Sequence, residues 1–180
     1  MKKLINSAVA WYLRPAPIWS LIWFAPIVIF ISILSQIIVF YFFIKDPTVL
    51  PENRPPEEMC DSKIWIIAIY FISGFGEEFI FRLIPFMFFL YLCDEVELVK
   101  KYVNKKFLFI LIVLISSIFF GLAHGNIYNI LIQGIGGVIF FLVFIKYSGH
   151  PDEYDVPLSR GLLASSVVHI GFNMTSYSLT

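Results

Sequence analysis

The stretch Ser73-Gly74-Phe75-Gly76-Glu77-Glu78-Phe79-Ile80-Phe81-Arg82 places three ionisable groups in the middle of a segment, 64–92, that is otherwise apolar enough to span a bilayer. A charge at the bilayer centre costs ~3 kcal/mol on insertion scales, so ionisable residues there face a protein interior and mark a site. On a helix Glu78 and Arg82 are four apart and share a face, whereas Glu77 points about 100° away. One carboxylate can pair with the guanidinium, and the other is left spare.

The rest of the chain sets the medium in which that pair must sit. With 59% hydrophobic residues, 14% charged residues and 20 Phe in 180 positions, the composition is that of an all-α polytopic membrane helix bundle and not of a soluble domain. The net charge of zero gives no reason to expect nucleic acid or a strongly anionic partner, and the lipid bilayer is the first partner the composition implies. Cys60 and Cys93 flank the same span at opposite ends, so they cannot pair within one chain, and neither has metal-ligand spacing.

Outward from the acidic pair, apolar runs predict about five transmembrane helices, at 18–44, 64–92, 107–124, 127–145 and from 161 to the C-terminus. Residues 1–14, with Trp11 and Tyr12 at headgroup level, read as an interfacial segment, and Pro26 as a tolerated kink in the first span. Four prolines and mixed charges make 45–63 a loop, and 93–106 reads as a second polar loop. Pro85 is expected to kink or end its helix about one turn past Arg82. Residues 1–63 thus form an N-terminal segment, first helix and loop, and 64–180 a second unit that holds the ionisable groups. With the N-terminus inside, basic residues number three in 1–14, four in 93–106 and two in the last loop, against three outside. This favours a cytoplasmic N-terminus and an external C-terminus.

The later spans carry more polar groups than packing alone requires. Phe120 and His124 share one helical face, with Ser117 on the same stripe; His169 and Asn173 share another, extended by Ser165, Ser166 and Ser176; Asn126, Asn129 and Gln133 follow at spacings of three and four. Each stripe must face protein or water, so several helices converge on one hydrogen-bonded interior. Taken singly, the acidic pair could be a structural ion pair, His124 an interfacial histidine, and His169 with Asn173 helix-to-helix glue. Gly121 and Gly125, in small-x-x-x-small spacing, read as packing devices. Together, two carboxylates, two imidazoles and an amide make an active-site inventory.

In that order on successive helices, Glu-Glu-x-x-x-Arg (Glu77, Glu78, Arg82), Phe-x-x-x-His (Phe120, His124) and His-x-x-x-Asn (His169, Asn173) resemble the CAAX protease and bacteriocin-processing family of intramembrane proteases. The resemblance covers roughly 64–177, and members commonly have more spans than the five read here. It implies a glutamic endopeptidase acting on a membrane-associated peptide or protein, with no cofactor and no metal, in the plasma membrane of a bacterium. It also implies that Glu77 and His124 hold the attacking water, that His169 and Asn173 form the oxyanion hole, and that Glu78 and Arg82 order the site. The residue types are suited to this chemistry, since hydrolysis needs a base for water, donors for the oxyanion and a proton for the leaving amine. Two alternatives stay open. Two Glu and two His could hold a zinc ion, although no local ligand pair such as His-Glu-x-x-His is present. A non-catalytic membrane immunity or binding protein could keep the same polar core for folding.

Overall fold

The computed structural model describes residues 16–39, 41–42, 63–125, 127–148 and 157–179. The interfacial segment expected over 1–14, the proline-rich loop as far as 62, Cys60, Asn126 and most of the last loop lie outside these residues. After a 3-10 turn at Ile18–Ser20 come α1 (Leu21–Val39), α2 (Lys63–Glu78), a π turn (Phe79–Leu83), α3 (Ile84–Glu95), α4 (Glu97–Tyr102), α5 (Lys105–Leu122), α6 (Asn129–Ser148) and α7 (Leu158–Leu179). No strand occurs among the described residues, so the chain is an all-α helical membrane bundle.

Its organising element is α6, which packs against α5 on one side and against α1 and α7 on another. Consecutive residues of α6 enter different apolar clusters. Phe140, Val143 and Tyr147 pack with Leu21, Ala25 and Val28 of α1 and with Ala164, Val168 and Phe172 of α7. Phe141, Phe144 and Ile145 pack with Phe86, Phe89 and Cys93 of α3 and with Ile112 and Val113 of α5. A helix covered on so many sides is apolar all round, and a bilayer-facing helix is too, so hydropathy alone does not tell centre from rim.

Among the described residues, three helices are long and apolar enough to cross a membrane: Ile18–Val39, Lys105–Leu122 and Asn129–Ser148. The other two expected spans are the ones that carry Glu77, Glu78, Arg82 and His169. The first is divided by the π turn, and α7 dilutes its apolar content with Ser, Thr, His and Asn. Still, α7 presents Leu163, Val167 and Met174 outward on one face, and α2 presents Trp65, Phe71, Ile72 and Phe75. Apolar surface on this scale is what a bilayer covers.

Of the two outcomes expected at Pro85, a kink or an end, the helix does not end: Pro85 falls in the first turn of α3, where a proline's missing N–H is tolerated, and the backbone widens into the π turn before it. One local expectation needs correction. The stretch 93–106 is not all loop, because Glu97–Tyr102 forms α4. Its polar appearance reflects an interfacial helix, with Leu98 and Tyr102 exposed four residues apart and Lys100 and Lys101 between them. At the other end of this connection the Asn104 side chain accepts hydrogen bonds from the N–H groups of Lys106 and Phe107, capping α5.

Candidate active site

Glu77 and Glu78 close α2, and the chain then widens into the π turn that carries Arg82. Within that turn the Ile84 N–H bonds to the Phe79 carbonyl five residues back. Glu78 and Arg82 are both fully buried, and Arg82 Nη2 lies 3.4 Å from Glu78 Oε1 in an ion pair that lacks hydrogen-bond geometry. The guanidinium is further compensated by an aromatic face, its Cζ standing 4.3 Å from the centre of the Phe120 ring.

From α7, His169 reaches both carboxylates. Its Nδ1 hydrogen-bonds Glu78 Oε1 at 2.9 Å, and its Nε2 stands 3.6 Å from Glu77 Oε2. The ring is clamped between Phe140, stacked at 4.6 Å and 24°, and the edge of Phe120 at 5.5 Å. His124 approaches Glu77 from another direction, with Nε2 3.7 Å from Glu77 Oε2. It sits just past the end of α5, in a turn, and not on the helix itself. There its Nδ1 bonds the Phe120 carbonyl at 2.8 Å, and its own carbonyl accepts from Asn129 Nδ2 at 2.6 Å.

That turn depends on two glycines. Gly125 has φ of +102°, which side chains rarely adopt, so it lets the chain reverse directly after His124. Gly121 brings α5 against the start of α6 so closely that a Cβ there would lie 2.6 Å from the Ile130 Cα. The approach brings Asn129 within reach of the His124 carbonyl.

Glu77 is thus the carboxylate left over. Its side chain is 27% exposed where that of Glu78 is 0%, and its Oε2 has no hydrogen-bond partner among the described residues. A carboxylate flanked by two imidazoles beside a sealed ion pair has the chemistry that proton transfer requires. Residues 61–175, well over half of the chain, match the model of the family described as type II CAAX prenyl endopeptidase Rce1-like. The chain belongs to this Rce1-like family. Neither a curated protein nor a solved structure matches it.

As an Rce1-like protein the chain is an integral membrane protease, a CAAX-type intramembrane endopeptidase at the level of the family. The structure brings Glu77, Glu78, Arg82, His124 and His169 together. Asn173, one turn beyond His169, is half-buried and makes no side-chain hydrogen bond among the described residues. Among the described residues no group of three or more His, Cys, Asp and Glu has the geometry to hold a metal.

Other polar residues of the expected stripes divide by role. Asn129 supports the His124 turn, whereas Gln133 lies 3.5 Å from Gln36 of α1, a helix-to-helix contact away from the carboxylates. Two contributors were not legible as site residues. Phe140, which stacks on His169, is one Phe among 20, and Ser116, whose hydroxyl bonds the Phe81 carbonyl, is half of an ordinary Ser-Ser pair. Their only signal in the sequence is spacing. Ser116 precedes Phe120 by one helical turn, and Gly136-Gly137 precede Phe140 by about one turn.

Proposed function

We propose that this Rce1-like protease is of the glutamic type, hydrolysing a peptide bond of a membrane-associated protein or peptide with a water held between Glu77 and His124. The observation that carries this reading is the separation of Glu77 Oε2 from the two imidazoles. At 3.7 and 3.6 Å the Nε2 atoms are too far for direct hydrogen bonds, yet one water oxygen bridges such a gap at ordinary lengths.

Hydrogen-bond partners then set the proton positions. Because the Phe120 carbonyl can only accept, His124 Nδ1 carries a hydrogen, and in the neutral ring Nε2 is an acceptor. A water between them donates one hydrogen to Glu77 and the other to His124, which turns its lone pairs toward a substrate carbonyl. As the water oxygen bonds to the carbonyl carbon, its proton passes to the Glu77 carboxylate. The tetrahedral oxyanion then collapses, the C–N bond breaks, and Glu77 returns the proton to the leaving amine.

His169 and Asn173 are the donors proposed for the oxyanion. With Glu78 ionised, His169 Nδ1 donates to it, so Nε2 donates only while the ring is an imidazolium. Glu78 and Arg82 hold His169 in that orientation and touch no substrate. Water exclusion by the surrounding bilayer and aromatic rings strengthens each of these interactions.

The family's description names prenylated CAAX substrates, so a farnesylated C-terminal CAAX peptide is the first probe. Purified wild type should release the terminal tripeptide, detected by mass spectrometry, and Glu77→Gln should release it at least ~10³-fold more slowly with an unchanged melting temperature. Activity lost to chelators and restored by zinc would replace the glutamic reading with a metal-dependent one. Full activity in Glu77→Gln would end both.

A further inference from the structure

Pro85 has no N–H, so it cannot return the backbone hydrogen bond to the carbonyl of Phe81, four residues earlier. That carbonyl lies inside the π turn, next to Arg82 and three residues past Glu78. In the interior of a membrane bundle a backbone carbonyl without a donor is costly. The donor comes from another helix: the Ser116 hydroxyl, itself 5% exposed, hydrogen-bonds the Phe81 carbonyl. One turn further along α5, Phe120 meets the edge of the Phe81 ring at 5.5 Å and covers the Arg82 guanidinium. Residue 81 is therefore held from α5 at both its carbonyl and its ring.

We infer that Ser116 is a positioning residue for the proteolytic reaction. Its hydroxyl stands in for the donor that Pro85 removes, fixes the wide turn, and so sets where Glu78 and Arg82 hold His169 relative to Glu77. Proline and serine form one device on two helices. The proline opens the turn, and the serine closes the hydrogen bond that the proline leaves open. This inference rests on the proposed role of Glu77, and nothing in it requires Ser116 to touch substrate.

The test pairs a hydroxyl series with the proline. Ser116→Ala should lower kcat about tenfold, leave KM for the farnesylated peptide within about twofold, and be rescued by Ser116→Thr, which returns the hydroxyl. In a Pro85→Ala background the backbone N–H is available, so removing the Ser116 hydroxyl should cost far less than it does in wild type. Strictly additive effects of the two substitutions overturn the proposal, as does equal loss in Ser116→Ala and Ser116→Thr. Hydrogen–deuterium exchange supplies an arm that needs no substrate: Ser116→Ala should speed exchange in peptides covering 79–84 and leave those from α6 unchanged. A wild type that cleaves no peptide refutes the proposed function while the exchange arm still decides for or against Ser116. If Ser116→Ala fails to fold, Ser116→Cys takes its place as a weaker donor, and wild-type turnover with wild-type exchange there overturns the proposal.

Discussion

Replacing Arg82 with methionine keeps most of the side chain's volume and removes its charge, which isolates the electrostatic term. Glu78 is fully buried and Arg82 is the one guanidinium paired with it among the described residues, at 3.4 Å. Stripping the partner from a buried ion pair costs ~3 to 5 kcal/mol unless the remaining carboxylate protonates. Loss of the stacking over Phe120 at 4.3 Å adds ~1 to 2 kcal/mol. At ~2 to 4 °C per kcal/mol for a domain of this size, the melting temperature in detergent should fall by on the order of 10 °C. The second half of the prediction is reversal. Glu78→Gln combined with Arg82→Met leaves no unpaired charge and should regain most of the lost stability while activity stays low, because His169 has lost its ionised partner. The assay is thermal unfolding in parallel with peptide release for wild type, both single variants and the double. An Arg82→Met protein melting within ~2 °C of wild type, or a double variant no more stable than the single, refutes the reasoning.

Two further outcomes follow from the same geometry. Asn173→Ala should slow turnover by ~10² to 10³ with little change in melting temperature, since among the described residues the half-buried amide has no structural hydrogen bond to lose; destabilisation matching that of Arg82→Met, with no separate loss of turnover, would make it packing glue. Lys101→Cys, in a Cys60→Ser background, should resist an impermeant maleimide in intact cells and react after permeabilisation, because the lysine cluster of α4 and the start of α5 is expected on the cytoplasmic face; the native Cys93 is buried and would not report.

What could be read from the sequence followed the cost of each residue in its surroundings. Glu77, Glu78, Arg82, His124 and His169 stood out because a bilayer makes an unexplained charge or imidazole expensive, so their presence in apolar runs had to have a local cause. The helical character of the bundle was legible for the same reason: lipid leaves the backbone few ways to satisfy itself, and the long apolar runs of α1, α5 and α6 allow only one of them. The boundaries were less legible. His124 sits beyond the end of α5 because Gly125 turns the chain there, whereas the apolar run alone places His124 as the last residue of its span.

Pro85 shows where this kind of reading stops. Its effect on its own helix follows from the ring and the missing N–H, and both point to a kink or an end. Whether the helix breaks or widens depends on whether the freed carbonyl finds another donor, and that donor, Ser116, is 35 residues away along the chain. The apolar clamp around His169 is hidden in the same way, since a phenylalanine costs nothing in a membrane helix and so gives no sign of what it touches. In such a protein the ionisable residues reveal themselves individually, whereas the groups that aim them become visible only once the helices are packed. Residues that position the site without bearing charge are therefore best sought on the facing helices, where Phe140 stacks on His169 and Ser116 reaches the carbonyl next to Arg82.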